Sequence, residues 1–471
     1  MISDRYPPEA VGGAEISLHL CLQRGDLADR ALVIVFSRNL LGPRLYWQDR
    51  VPVLMLPDAD AWPIHFAGAG SYATASRLGR RLRDLYTYTL AAACLIAGGP
   101  VAQVLDRATA LWLEIAGKPR GGIASDFALG TSWYRRRAVR RVLRSVRPQR
   151  ILLDNYRSIL LAPSVRRGAP GAEVIALVRD NRFTCTRHDQ SQRIGGATCS
   201  SCRFDCAPAD AARHARWHRR HLMLSAAHRR KCLSDADQVI VTSAYLEDGI
   251  RRALPDAGVV RIPNPGGDLD DVAAHIRGVA EWPGQNLLIV GMLNENKGQL
   301  QFLNEAAGWL KADRRRRVHL AGRGDRIAAR IRETAAEHGT ADQIHLHGYL
   351  DRADLFRLAR QCQVIVAPTV WPEPFGRVPL EAGLARRPIV AFARGGLRET
   401  ILDNETGFLV APGDYATLLD RVDQLLADPA LAQRLGARAY AHIATLYSVD
   451  RVGEAFARLF DPADRMGRVS G

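Results

Sequence analysis

Apolar runs of strand length recur along the chain, separated by stretches of helical periodicity. Ala31-Leu32-Val33-Ile34-Val35-Phe36, Ile151-Leu152-Leu153, Val174-Ile175-Ala176-Leu177-Val178 and Gln238-Val239-Ile240-Val241 form a first set. Leu287–Val290, Val318–Ala321, Val364–Ala367 and Pro388–Ala391 form a second. A strand that is apolar at nearly every position has no polar face to show to water. It must be covered on both sides, which is the condition of a parallel sheet wrapped by its own crossover helices. The pattern predicts an α/β class with doubly wound sheets.

Between the two sets runs Ile262-Pro263-Asn264-Pro265-Gly266-Gly267, whose prolines and glycines end regular structure. The reading is therefore of two domains. Residues 1–265 form an N-terminal Rossmann-like domain with a cysteine-bearing loop at 182–210. Residues 285–445 form a C-terminal Rossmann-like domain, and a helix at 446–460 is expected to pack back on the N-terminal one. The chain opens on Ser3-Asp4-Arg5-Tyr6-Pro7-Pro8, which has loop character, so the first strand is expected to be missing.

Composition alters the picture in one respect. Of 471 residues, 65 are Lys or Arg and 49 are Asp or Glu, a net charge of +16 that calls for an anionic partner. The basic residues cluster in the N-terminal half. Thr131–Arg150 holds eight arginines and no acid, Arg77, Arg80, Arg81 and Arg83 form a second run, and His214–Lys231 a third. Together they point to an anionic membrane surface or a lipid-linked acceptor. No zinc-finger, helix-turn-helix or RNA-recognition pattern is present, so nucleic acid is not expected. Leu85–Leu105 carries no charge, but Gly98-Gly99-Pro100 interrupts it, which favours a buried helix–turn–helix over a membrane span. The start shows no signal-peptide pattern. A cytoplasmic location is expected, with peripheral attachment to the inner face of the cell membrane as an option.

The densest chemistry lies in Trp371-Pro372-Glu373-Pro374-Phe375-Gly376-Arg377-Val378-Pro379-Leu380-Glu381-Ala382. Prolines and a glycine hold a loop after a strand, and Pro379 suits a first helical turn. Glu373 falls on the loop and Glu381 in that turn. The amides of Phe375, Gly376 and Arg377 can face an anion. A second constellation, Gly291-Met292-Leu293-Asn294-Glu295-Asn296-Lys297-Gly298, follows the strand Leu287–Val290. Lys297 is one of four lysines, beside Lys118, Lys231 and Lys311, in a chain that otherwise uses arginine. A compact ammonium and a guanidinium are not equivalent at a phosphate.

These two segments resemble the Glu-x7-Glu signature and the Gly-Arg-Leu…Lys-Gly loop of the retaining glycosyltransferases group 1 family, glycosyltransferase family 4. Ala321-Gly322-Arg323-Gly324, His347-Gly348-Tyr349, Gly395-Gly396-Leu397-Arg398-Glu399 and Thr406-Gly407-Phe408-Leu409-Val410 add matches in the family's order. The resemblance covers nearly all of 285–460. It implies the GT-B arrangement, two Rossmann-like domains facing across a cleft. It also implies that Glu373 contacts a donor sugar, that Glu381 contacts the nucleotide ribose, and that Lys297 grips the donor diphosphate. Met292 stands where the family has an arginine, so part of the diphosphate charge must be met elsewhere.

The N-terminal half resembles the family less closely. Gly12-Gly13-Ala14-Glu15 is similar to its glycine-rich loop facing the cleft, where a backbone can approach a ligand closely. An ordinary βα turn is the other reading. Arg179-Asp180-Asn181 stands where the family often has His-Asp. Asp180 is read either as a catalytic-side group orienting an acceptor hydroxyl or as a turn cap. Cys185, Cys199, Cys202 and Cys206 have zinc-like spacing, with His188 as a spare ligand. A tentative structural zinc and uncomplexed thiols both remain open.

The reaction implied is transfer of a sugar from a nucleotide diphosphate sugar to a glycan or glycolipid hydroxyl, with retention and without an obligatory divalent cation. Two other readings stay open: a sugar-nucleotide epimerase on a related scaffold, and a GT-B module that binds sugar without turnover.

Overall fold

The computed structural model describes residues 1–3, 6–7, 13–23, 27–37, 43–57, 133–185 and 226–461. Among the described residues, fourteen strands fall into two sheets. The first sheet is built from β1 (Ile2–Ser3), β2 (Val33–Ser37), β3 (Arg44–Gln48), β4 (Val51–Pro57), β5 (Arg150–Asp154), β6 (Glu173–Val178), β7 (Gln238–Val241) and β8 (Val259–Arg261). Their order is β3-β4-β2-β1-β5-β6-β7-β8. Every pairing is parallel except β3 with β4, which form an antiparallel edge. The first strand, whose absence the opening residues suggest, is present as the two-residue β1. Ile2 pairs with Ile34 on one side and Leu153 on the other, at the centre of the sheet.

The second sheet holds β9 (Gln285–Val290), β10 (Arg316–Ala321), β11 (Ile344–Gly348), β12 (Val364–Ala367), β13 (Ile389–Phe392) and β14 (Gly407–Val410). Its order is β11-β10-β9-β12-β13-β14, parallel throughout. The strand order turns back beside β9 and β12, and in such sheets ligands bind outside the strand C-termini at that point. Both sheets obey the rule read from the sequence. All four residues of β7, of β12 and of β13 are buried.

Each sheet has a core on either face. Ile151, Leu153, Val174, Ala176 and Val239 pack on one side of the first sheet, and Leu152, Ile175 and Ile240 on the other. The latter core also takes in Val452, Phe456 and Leu459, from the helix Val449–Arg458 and the residue after it. That helix packs against the helix Gly13–Leu22 and so forms part of the first sheet's covering layer. No helix among the described residues is long and apolar enough to cross a membrane. Leu85–Leu105 lies outside the described residues.

One core region carries titratable groups. His319 of β10 and His345 of β11 are register partners, and His347 lies two residues further along the same face. His347 Nε2 donates to His319 Nδ1 at 3.0 Å, and His319 Nε2 donates to Asn286 Oδ1 at 3.2 Å. Burial pulls His319 down to about 3, helped by His345 and His347. Burial also lowers His345 and His347. The folded state therefore disfavours the protonated form of these rings, whereas an unfolded chain protonates them near the ordinary value of about 6.5. Their contribution to stability is fully present above that value and is lost as pH falls below it. Between pH 7 and 5.5 His319 accounts for at most about 1.3 kcal/mol. Urea unfolding at both pH values should show a smaller acid loss for His319→Gln than for the unmodified chain. An equal loss would contradict the assignment.

Candidate functional site

The site begins at the C-terminal end of β9. The chain leaves the strand through Gly291 and enters a single 3-10 turn, Glu295–Lys297, capped by Asn294, whose Oδ1 accepts from Lys297 N at 3.1 Å. Gly298 follows at φ 70°, a left-handed conformation where a Cβ would collide with the Pro368 carbonyl. That close approach lets the lysine loop lie against the end of β12. Two bonds fasten them, because Val370 N and Thr369 Oγ1 both donate to the Asn296 carbonyl at 3.0 Å.

The same contact delivers Lys297 to Glu373. Lys297 Nζ donates to Glu373 Oε1, and the ammonium sits 5.8 Å from the Trp371 ring centroid. Trp371 Nε1 donates to the same oxygen at 2.8 Å, and Thr369 Oγ1 reaches it at 3.4 Å. Two donors thus converge on Oε1, with the Thr369 hydroxyl beside them, while Oε2 has no hydrogen-bond partner among the described residues. Glu373 is 7% exposed. Its backbone is held by Gly396 N, which donates to the Glu373 carbonyl at 2.8 Å. Gly395, at φ 55°, lets that turn approach, since a Cβ there would strike the same carbonyl.

Phe375 is buried edge-on against Tyr447, with ring centroids 5.8 Å apart. The amides of Phe375, Gly376 and Arg377 make no hydrogen bond among the described residues, so they are available to a ligand. The Arg377 side chain turns away from them. Its Nη1 donates to Ser17 Oγ at 2.6 Å and to the Pro265 carbonyl at 3.2 Å, and its Nε lies 3.8 Å from Glu381 Oε1. Burial pulls this guanidinium below its ordinary value, and Glu381 opposes that shift. Glu381 lies in the helix Val378–Leu384, its side chain 18% exposed.

Across from this loop, the strand ends of the first sheet carry a different arrangement. Asp180 Oδ1 accepts from Arg182 N at 2.8 Å and caps the short turn Asn181–Phe183. Arg179 is nearly fully buried and donates Nε to Asp154 Oδ1 at 2.9 Å and Nη1 to Asn264 Oδ1. Asp154, fully buried at the end of β5, also accepts from Ser3 Oγ at 2.9 Å. The position that departs from the family pattern is therefore a buried ion pair.

Of the residues singled out from the sequence, the structure brings Lys297 and Glu373 into contact and sets Glu381 beside Arg377. Gly13 opens a helix, and Gly12 lies outside the described residues. Cys185 is buried. Cys199, Cys202 and Cys206 lie outside the described residues, which contain no group of three His, Cys, Asp or Glu arranged for a metal. Sequence reading missed Trp371 as a donor to Glu373 and Thr369 as its neighbour, although both lie within four residues of it. It also missed Asp154 as the partner of Arg179.

Comparison with known proteins bears on this geometry. Residues 282–442 match the model of the family "Glycosyl transferases group 1". Glycogen synthase of Mycobacterium tuberculosis is 31% identical over 238 residues, 49% of this chain and 55% of that protein. D-inositol 3-phosphate glycosyltransferase of Frankia alni is 32% identical over 203 residues, 40% of this chain and 50% of that protein. The chain thus spans about half the length of the curated relatives it matches. Among solved structures, Anabaena HepE with UDP and glucose superposes with a TM-score of 0.62 at 16% identity, covering 98% of both chains. Sucrose-phosphate synthase of Thermosynechococcus elongatus gives 0.62 at 19% identity, over 100% of this chain and 98% of the other. These likenesses establish the GT-B fold. Residues 282–442, which contain Lys297, Glu373 and Glu381, are thus similar to the group 1 glycosyltransferases.

Proposed function

We propose that this chain transfers a sugar from a nucleotide diphosphate sugar to an acceptor hydroxyl, with retention of configuration. The observation that carries the reading is the state of Glu373. One carboxylate oxygen is engaged by an ammonium and an indole, and the other is left to accept a bond. A sugar hydroxyl is the natural donor to Oε2. Glu381 then accepts from the ribose. Lys297 and the amides of Phe375, Gly376 and Arg377 face the diphosphate. Charge grows on that diphosphate as the sugar leaves, so donors fixed beforehand favour the transition state over the ground state. On this reading no divalent cation is required. HepE was solved with UDP and glucose, which supports a nucleotide sugar as the donor. Retention rests on the family resemblance.

Incubation with UDP-, GDP- and ADP-glucose, followed by proton magnetic resonance of the products, tests the proposal. Release of the nucleoside diphosphate together with an α-configured glucoside or α-glucose is expected. A new nucleotide sugar formed without loss of its sugar would establish epimerase chemistry instead. Binding of all three donors without turnover would leave a sugar-binding module.

The acceptor side is proposed to meet an anionic membrane surface at the inner face of the cell membrane. On the helix Trp133–Val146, Arg137, Arg141 and Arg144 recur at helical spacing and are exposed. Reversing these three charges should release the protein from vesicles of anionic lipid at low salt. Vesicle binding that survives the change would sink the surface assignment.

A further inference from the structure

Glu373 stands between two prolines, and proline offers no N–H by which a loop can be fastened. Pro372 and Pro374 accept hydrogen bonds through their carbonyls alone. Both carbonyls are engaged by side chains from the first sheet's domain. Asn181, in the turn after β6, is fully buried and donates Nδ2 to the Pro372 carbonyl at 3.0 Å. Ser243, just beyond β7 and also fully buried, donates its hydroxyl to the Pro374 carbonyl. The carbonyl between them, Glu373's own, is taken by Gly396 of its own domain.

Ser243 has a second task. Its Oγ accepts from Leu246 N at 3.1 Å and so caps the helix Ala244–Ala253. The next two amides of that helix, Ala244 N and Tyr245 N, donate to the two carboxylate oxygens of Glu399, at 2.8 and 3.0 Å. Glu399 follows the Gly395-Gly396 turn that grips the Glu373 backbone. Each domain thus completes the other's hydrogen bonds around one helix start and one loop.

We propose that Asn181 and Ser243 are positioning residues for Glu373, so that its carboxylate takes its working place only when the two domains are together. The inference rests on the sugar-transfer reading of Glu373. The nucleotide end of the donor is held by the second domain alone on this account. Loss of either side chain should therefore leave nucleotide affinity in place and lower turnover. Both bonds are buried, where an abandoned carbonyl is costly, and small displacements of a catalytic group carry large rate penalties.

The test compares Asn181→Ala, Ser243→Ala and Ser243→Thr with the unmodified chain. The readouts are glucose release from UDP-, GDP- and ADP-glucose, calorimetric affinity for the matching nucleoside diphosphate, and the melting temperature. Each alanine variant should lose about tenfold or more in turnover. Its nucleoside diphosphate affinity should stay within about twofold, since the side chains removed lie in the other domain. Ser243→Thr restores a hydroxyl and should recover turnover. Unchanged turnover in both alanine variants, or affinity falling in step with turnover, overturns the proposal. Small-angle scattering of the ligand-free protein provides an arm that needs no donor. An Asn181→Ala/Ser243→Ala/Glu399→Ala variant should have a larger radius of gyration. If the unmodified chain releases no glucose, the sugar-transfer reading fails by itself. If the triple variant scatters as the unmodified chain does, the interlock fails.

Discussion

Glu373→Ala is expected to lower sugar transfer about 10²- to 10³-fold, the cost of removing one fixed polar group that acts on the reacting sugar. The nucleoside diphosphate should still bind, because Lys297, Glu381 and the loop amides remain. Lys297 loses its partner in this variant, so diphosphate affinity should stay level or rise. Glu373→Gln keeps the shape of the side chain but removes its charge. It can still accept at one oxygen, and should fall between the alanine variant and the unmodified chain. Steady-state transfer and nucleotide titration on the same preparations check this. A kcat for Glu373→Ala within about threefold of the unmodified chain would remove Glu373 from the chemistry, since a group acting on the transition state costs far more.

Arg179→Ala should destabilise the fold by about 3–5 kcal/mol, the cost of leaving one member of a buried ion pair without the other. Asp154 is fully buried at the sheet centre, and Ser3 Oγ is too weak a substitute for a guanidinium. The loss should shrink in Arg179→Ala/Asp154→Asn, because the uncompensated charge is then gone. Urea midpoints of the two variants measure the difference. A loss under about 1 kcal/mol for Arg179→Ala would mean that the pair is solvated in solution and is not the buried bridge described.

The strands that were legible in the sequence are those covered on both faces. Val174–Val178, Val364–Ala367 and their like carry unbroken apolar runs because a parallel sheet leaves them no polar side. The strands that were not legible lie mostly at edges. β3 exposes Leu45 and Trp47, β4 contains Pro52 and Pro57, and β11 places His345 and His347 inward. A periodicity argument has little purchase on such residues. At the site, the spacing of Glu373 and Glu381 could be read along the chain, and the Lys297 loop could be read beside a strand end. The contacts that orient Glu373 divide by distance. Thr369 and Trp371 are local, so their roles lay within reach of the sequence. Asn181 lies 191 residues away and Ser243 131 from the carbonyls they hold, and folding alone brings them there. Arg179 illustrates the same limit. Its partner sits at the end of the neighbouring strand, 25 residues upstream, and sheet register makes the pair.

The central claim is that Lys297, Glu373 and Glu381 form a nucleotide sugar donor site. Calorimetric titration with UDP, GDP and ADP tests it most directly, on the unmodified chain and on Lys297→Ala and Glu381→Ala. The unmodified chain should bind at least one of the three. Each variant should bind that nucleotide more weakly by about 1–3 kcal/mol, the value of a hydrogen bond to a charged group. Affinity unchanged in both variants, or no binding of any nucleoside diphosphate to the unmodified chain, would contradict the donor-site assignment.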